Sequence, residues 1–273
     1  EEDLFNVRTF FIVTGCCIIL FIVGLADDLT SLSSRFRFLI QLIIAFSLVY
    51  FGDVRIESFH NIFGFGVLPP KFSVIFSMIV VIFIINSFNL TDGLDTLATS
   101  LGIFILTSFS FILFANNHLY DGTLAICGVS SLLAFWFYNR PPAKIFMGDS
   151  GSLVIGFIIA YCALKVCNLP IDSEGTINPV FVLCVLSYPS VDTIRVFIVR
   201  ILNRKSPFSA DRNHIHHILV DKDFNHGWAS FFAVMYAAIL TGICYLIRDY
   251  ATLSFFVMVS FAILFIVLPM ASF

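Results

Sequence analysis

The 273-residue chain is 59% apolar and only 12% charged, with a formal net charge of −3, about half the charged share of an ordinary soluble chain. That balance excludes a soluble enzyme, and no nucleic-acid partner is expected. The apolar residues form runs of roughly 17–20, the length that crosses a bilayer as a helix, whereas barrel strands would alternate every second residue. The expected fold is therefore all-α, a polytopic integral membrane protein of about nine transmembrane helices forming one domain over 1–273.

Candidate spans fall at about 10–26, 36–52, 72–88, 97–115, 122–138, 152–168, 178–199, 228–247 and 252–269. The chain starts at Glu1 with no Met, so a segment upstream is expected. The first span closes on Asp27-Asp28, and Arg35 and Arg37 open the second. The loop 53–71 alternates at Val54 and Ile56 and carries Gly64, Gly66, Pro69 and Pro70, which suggests a small hairpin. The seven cysteines sit mostly inside apolar runs without CxxC spacing, as packing thiols and not a disulfide framework.

With nine spans, parity assigns every loop to a side. Asp27-Asp28, 86–95, 140–152 and 203–227 share one side, and 53–71, 116–121, 169–177 and 248–251 share the other. About ten of the fifteen Lys and Arg belong to the first side, which the positive-inside rule makes cytoplasmic. Every chemically suggestive cluster falls there too, which points to one composite site at the membrane surface.

The densest cluster is N-S-F-N-L-T-D-G-L-D-T-L-A, Asn86 to Ala98. Asn86, Asn89, Asp92 and Asp95 recur every third residue and could share one side of a helical turn, with Gly93 where the backbone would bend. Carboxylates beside hydrocarbon are costly and are usually functional, although an acidic capping turn would also produce this pattern. Asp27 and Asp28 could bind a divalent cation, or one could act as a base perturbed by its neighbour; a solvated helix end is the bland alternative. Arg35 and Arg37 could hold a phosphate or simply mark the interface.

In F-M-G-D-S-G-S, Phe146 to Ser152, two glycines allow close backbone approach, and the following helix start offers free N–H groups. That is a place for phosphate, with Asp149 able to hold an accompanying magnesium, or else a capped tight turn. Phe146 could stack on a base. In D-R-N-H-I-H-H, the histidines lack H-E-x-x-H spacing, and beside Arg212 they suit anionic oxygens better than zinc.

The Asp-Asp pair, N-x-x-N-x-x-D-G-x-D-x-L-A, F-M-G-D-S-G-S and D-R-N-H-I-H-H stand here in an order and spacing that resemble the polyprenyl-phosphate N-acetylhexosamine-1-phosphate transferases. This group includes the MraY and WecA enzymes. The resemblance covers essentially residues 10–269, and the H-I-H-H form is closest to the WecA/TagO branch. It implies transfer of a sugar-1-phosphate, N-acetylglucosamine-1-phosphate as the expected case, from a UDP-amino sugar to polyprenyl (undecaprenyl) phosphate, with release of UMP. It further implies magnesium, or manganese in its place, held by Asp149 with Asn89 and Asp92. Asp27, Asp28, Asp92 and Asp149 would form the catalytic set. Asp95 and Phe146 would contact uracil; Asn86 and Asn89 would be substrate-binding; Arg37, Arg212, His214, His216 and His217 would bind phosphate oxygens. Which aspartate acts as base stays open. A multi-pass protein of the cytoplasmic (inner) membrane, a cytoplasmic-facing site and a homodimer are also implied.

The sequence departs from the family pattern in three places. Members carry about two further helices before the Asp pair, so a chain lacking them is expected here. Some have Lys shortly after that pair, where this chain has Thr30, Ser31 and Arg35. Asp95 is followed by Thr96 where Gly is common. The competing readings are a catalytically incomplete homologue and an ion-coupled transporter. The latter calls for mid-span carboxylates and inverted repeats, whereas here the polar residues crowd span ends.

Overall fold

A computed structural model describes residues 2–169, 179–204, 214–215 and 225–270, with side chains described over 7–264 of these. Helices α1 (Glu2–Thr30), α2 (Ser34–Phe46, continued by a π-helical turn Ser47–Phe51), α3 (Pro70–Asn89), α4 (Leu97–Ala115), α5 (Leu119–Asn139) and α6 (Gly148–Cys167) come first. They are followed by α7 (Pro179–Val185), α8 (Ser187–Leu202), α9 (His226–Leu246) and α10 (Ala251–Met270). Among the described residues, seven helices are long and apolar enough to cross a bilayer, and α7 with α8 makes an eighth. The fold is an all-α multi-pass membrane protein.

Two expected spans differ in detail. The seventh, 178–199, is not one straight helix: α7 and α8 meet at 76°. Pro189 stands four residues after Val185; its ring clashes with that carbonyl and it has no N–H to donate, so the helix breaks at Leu186. The ninth, 252–269, coincides with α10, whose described apolar part, Ala251–Leu264, is shorter than the other spans.

The hub is α6. It is apolar around its whole circumference, 78% of its membrane window is buried, and α1, α3, α4, α5 and α7 pack around it. Such a helix can be surrounded because it has no polar face to keep wet. Close approach depends on small residues. A Cβ on Gly24 of α1 would lie 2.5 Å from the carbonyl oxygen of Asp149, and one on Gly156 would lie 3.1 Å from the Ile85 backbone.

The two ends of α6 are tied differently. At its C-terminal end the expected hairpin forms, with β1 (Ser58–Ile62) antiparallel to β2 (Phe65–Val67). Asn168 accepts from the Glu57 N–H at 3.0 Å and donates to the Arg55 carbonyl, while His60 Nε2 lies 2.9 Å from the Cys167 carbonyl. Nearby, buried Asp121 of α5 accepts from the Tyr161 hydroxyl and lies 3.6 Å from Lys165 Nζ and 3.3 Å from His118 Nδ1. The cysteines are free thiols, mostly buried as expected, with the Cys184 and Cys244 sulfurs 2.8 Å apart. The opposite end of α6 holds the acidic clusters.

Candidate active site

The first turn of α6 is where separate stretches of sequence meet. Gly148 has φ +65, and a Cβ there would strike Asp28 Oδ2 at 2.8 Å, so only glycine lets the end of α1 come this close. Asp28 uses the access: its two oxygens accept from the Asp149 and Ser150 N–H groups at 2.8 and 3.0 Å. The helix N-terminus that the sequence offered to a phosphate is thus taken by the protein's own carboxylate, which neutralises the same orphan donors.

Asp27 turns to the neighbouring helix. Its Oδ1 accepts from the Leu32 N–H at 2.5 Å, and its Oδ2 lies 2.7 Å from Arg37 Nη1, which is also 2.7 Å from Asp149 Oδ2. Arg37 therefore bridges a carboxylate of α1 and one of α6. The other oxygen of Asp149 accepts from Asn89 Nδ2 at 2.6 Å, and Asn89 also donates to Ser152 Oγ at 2.7 Å. Arg35 is exposed.

The three-residue spacing of Asn86, Asn89, Asp92 and Asp95 does not place them on one helical face. α3 ends at Asn89, and 90–96 is a run of turns. Asn86 points to α2, donating to Gln41 Oε1 at 2.7 Å, so it is an interhelical pin. Asp92 accepts from the Gly148 N–H at 2.8 Å through Oδ2. Its Oδ1 is buried and has no hydrogen-bond partner among the described residues. Burial raises the Asp92 carboxyl from 3.8 to about 6, partly offset by the Gly148 and Met147 N–H groups and reinforced by the charges of Asp149 and Asp28.

Asp95 clasps the loop before α6. Its Oδ2 accepts from the Ala143 N–H at 3.1 Å, and its Oδ1 lies 3.2 Å from His226 Nδ1 at the start of α9. The backbone position that enables the turn is Thr96, at φ +65, and not Gly93. Asn139 locks this arrangement: its Oδ1 accepts from the Thr96 N–H (2.8 Å) and Thr99 Oγ1 (2.9 Å), and its Nδ2 donates to the Ile145 carbonyl (2.9 Å). Phe146, next along, is 57% exposed, two residues before the Gly148 N–H that donates to Asp92.

Of the histidine segment, His214 and Ile215 are among the described residues. His214 is buried; its Nδ1 is 2.8 Å from Asp192 Oδ2 of α8, and the Ile215 N–H donates to Asp192 Oδ1 at 2.9 Å. His214 is thus anchored through one ring nitrogen to a carboxylate. Arg212, His216 and His217 lie outside the described residues.

Asp27, Asp28, Asn89, Asp92 and Asp149 are thus brought together with Arg37 around one helix start, with Asp95 on the turn after α3 and Phe146 on the loop before α6. Asn86 belongs to the helix packing beneath. Among the described residues no group of three or more His, Cys, Asp or Glu stands in metal-holding geometry. Gly24, Gln41, Asn139, Asp192, His226 and Ser230 carried no motif signal, and Ser152 entered only as the end of F-M-G-D-S-G-S. Asn139 had one weak cue, as an amide ending an apolar span just before Pro141-Pro142.

Comparison with known proteins gives the same lineage. The model of glycosyl transferase family 4 matches residues 10–167, more than half of the chain. The chain belongs to glycosyl transferase family 4. Its relatives include a Bacillus subtilis (strain 168) protein named "probable undecaprenyl-phosphate N-acetylglucosaminyl 1-phosphate transferase", 32% identical over 78% of this chain and 59% of its own length. The undecaprenyl-phosphate alpha-N-acetylglucosaminyl 1-phosphate transferase of Escherichia coli (strain K12) is 28% identical over 84% of this chain and 63% of its own. The protein of that name from Yersinia pestis is 26% identical over 83% and 62%. The chain spans about three fifths of the length of these curated relatives.

Proposed function

We propose that this family 4 member transfers N-acetylglucosamine-1-phosphate from a UDP-amino sugar to a polyprenyl phosphate at the cytoplasmic face of the inner membrane, releasing UMP. The observation that carries the reading is the convergence of Asp27, Asp28, Asp92 and Asp149 with Arg37 on the first turn of α6, beside the exposed ring of Phe146. A polyprenyl acceptor suits a chain embedded in lipid, and the relatives' names specify undecaprenyl phosphate and N-acetylglucosamine 1-phosphate.

In the reaction an oxygen of the acceptor phosphate attacks the phosphorus that carries the sugar. The bond from that phosphorus to the bridging oxygen breaks, and UMP leaves. A phosphate monoester has its second pKa near 6, so most acceptor is already dianionic at about pH 7. Asp27 and Asp28 then serve to orient the acceptor and to hold Arg37 and the α6 start, and little proton abstraction is required. Arg37, between Asp27 and Asp149, offers the guanidinium fork that matches phosphate oxygens.

The meeting of two anions needs positive charge, which magnesium would supply when bound. The donor chemistry suits it: Asp92 Oδ1, buried and without a hydrogen-bond partner among the described residues, the Asp149 carboxylate and the Asn89 amide oxygen would be the hard oxygen ligands holding it. Phe146 stacks on the uracil, and Asp95 accepts from its N3–H. His214, fixed by Asp192, contributes its imidazole to phosphate binding.

The test is UMP release by purified protein given UDP-N-acetylglucosamine, polyprenyl phosphate and magnesium. Release should require lipid and metal and should collapse in Asp149→Asn. Turnover unaffected by that substitution would end the proposal.

A further inference from the structure

The first turn of α9 grips Asp95 from two directions. His226 Nδ1 lies 3.2 Å from Asp95 Oδ1, and Ser230 Oγ donates to the Asp95 carbonyl oxygen at 3.0 Å. His226 and Ser230 are four residues apart, so they lie on one face of the helix. The second carboxylate oxygen is held by the Ala143 N–H of the loop that carries Phe146. Side-chain exposure is 10% for Asp95 and 37% for His226, so the imidazole reaches solvent beside a carboxylate that is nearly covered. His226 Nδ1 itself is buried, and its contact with Asp95 lies outside hydrogen-bond geometry. It is a polar atom placed next to Asp95 with its hydrogen-bonding capacity unspent.

We propose that His226 is a positioning and specificity-determining residue for nucleobase recognition, acting through Asp95; this rests on reading Asp95 and Phe146 as the nucleobase site. Uracil presents an N3–H donor between two carbonyl oxygens, whereas cytosine presents a bare N3 lone pair beside an amino group. A carboxylate matches the first and repels the second, and does so most sharply when it is fixed in direction. The imidazole 3.2 Å from Oδ1, together with the Ala143 N–H on Oδ2 and the Ser230 hydroxyl on the main-chain carbonyl, limits the rotation of the carboxylate. The stacking ring of Phe146 is indifferent to which pyrimidine it meets, since every base has a π-face. Discrimination therefore falls to Asp95, and its sharpness to His226.

The experiment is calorimetric titration of the full chain, in magnesium-containing buffer, with UMP and separately with CMP. The unsubstituted protein should prefer UMP. His226→Ala should weaken UMP about tenfold, the scale of one charge-assisted contact, and leave CMP nearly unchanged, so that the preference collapses. His226→Gln, which keeps an N–H donor, should recover most of it. A purely structural role would weaken both nucleotides alike and lower Tm in parallel; that result, or unchanged UMP binding in His226→Ala, overturns the proposal. Should the alanine variant fail to fold, His226→Met keeps the bulk without the N–H and is judged by the same ratio. If the unsubstituted protein shows no preference for UMP, the nucleotide reading itself fails, an outcome distinct from the failure of His226.

Discussion

Arg37 Nη1 lies 2.7 Å from a carboxylate oxygen of Asp149, a residue 112 positions further along the chain. The same nitrogen is 2.7 Å from Asp27. One guanidinium thus holds the end of α1 to the start of α6. It is two-thirds buried, so the pair is less screened than a surface ion pair.

Arg37→Gln should therefore lower turnover by about a hundredfold, the usual scale for removing one preorganised donor at a site of developing negative charge. Arg37→Lys should recover only part, because an ammonium cannot bridge as a planar fork does. Steady-state UMP release checks both.

Asp92 makes a separable stability prediction. Burial raises its carboxyl to about 6, above the ordinary 3.8, so the folded chain holds this proton more tightly than the unfolded one. Stability from this group is full below the ordinary value and is lost as pH climbs through about 6. Metal-free protein should lose Tm between about pH 4 and 6 through this group, and Asp92→Asn should lack that component. At pH 7 the variant should melt a few degrees higher (about 2–4 °C) while inactive. Magnesium should raise Tm of the unsubstituted protein more than that of Asp92→Asn.

Thr96 carries a backbone cost. A β-branched residue at φ +65 is disfavoured by about 1–2 kcal/mol relative to glycine. Thr96→Gly should raise Tm with activity retained, because the N–H that reaches Asn139 remains.

Gly24 tests the packing beneath the site. With a Cβ only 2.5 Å from the Asp149 carbonyl oxygen, Gly24→Ala must push α1 off α6, at a cost of about 1–3 kcal/mol. Tm should fall, and because Asp27 and Asp28 ride on the same helix, UMP release should fall further than the loss of folded protein accounts for.

Asn139→Ala removes the acceptor for Thr96 and Thr99 and the donor to Ile145. The loop bearing Phe146 then loses its seat. KM for the nucleotide donor should rise about tenfold while kcat changes less, as expected when binding common to ground and transition states is lost.

The acidic motifs were legible because carboxylates beside twenty-residue apolar runs are too costly to persist without a function, and hydropathy alone located the spans apart from the broken seventh and the shorter ninth. The pairing of those motifs was not. Asp28 capping α6, Arg37 bridging Asp27 and Asp149, and Asp192 anchoring His214 are contacts between distant segments, and nothing in local spacing encodes them. Period-three spacing misled at Asn86–Asp95 because α3 stops at Asn89 and the chain turns. The departure at Thr96 was visible as a missing glycine, but its left-handed backbone was not. The 76° elbow before α8 was foreshadowed by Pro189, whose effect is masked in a hydropathy average.

Asp28 has one more consequence. It is a tethered anion seated on the two free amides of α6, and a tethered ligand acts at an effective concentration on the order of millimolar or above. Any external phosphate seeking those amides competes against it and gains the place only when something else, such as a cation, draws Asp28 aside. The helix start is reserved, so a weakly binding external anion is turned away, and admission is linked to a change at the end of α1.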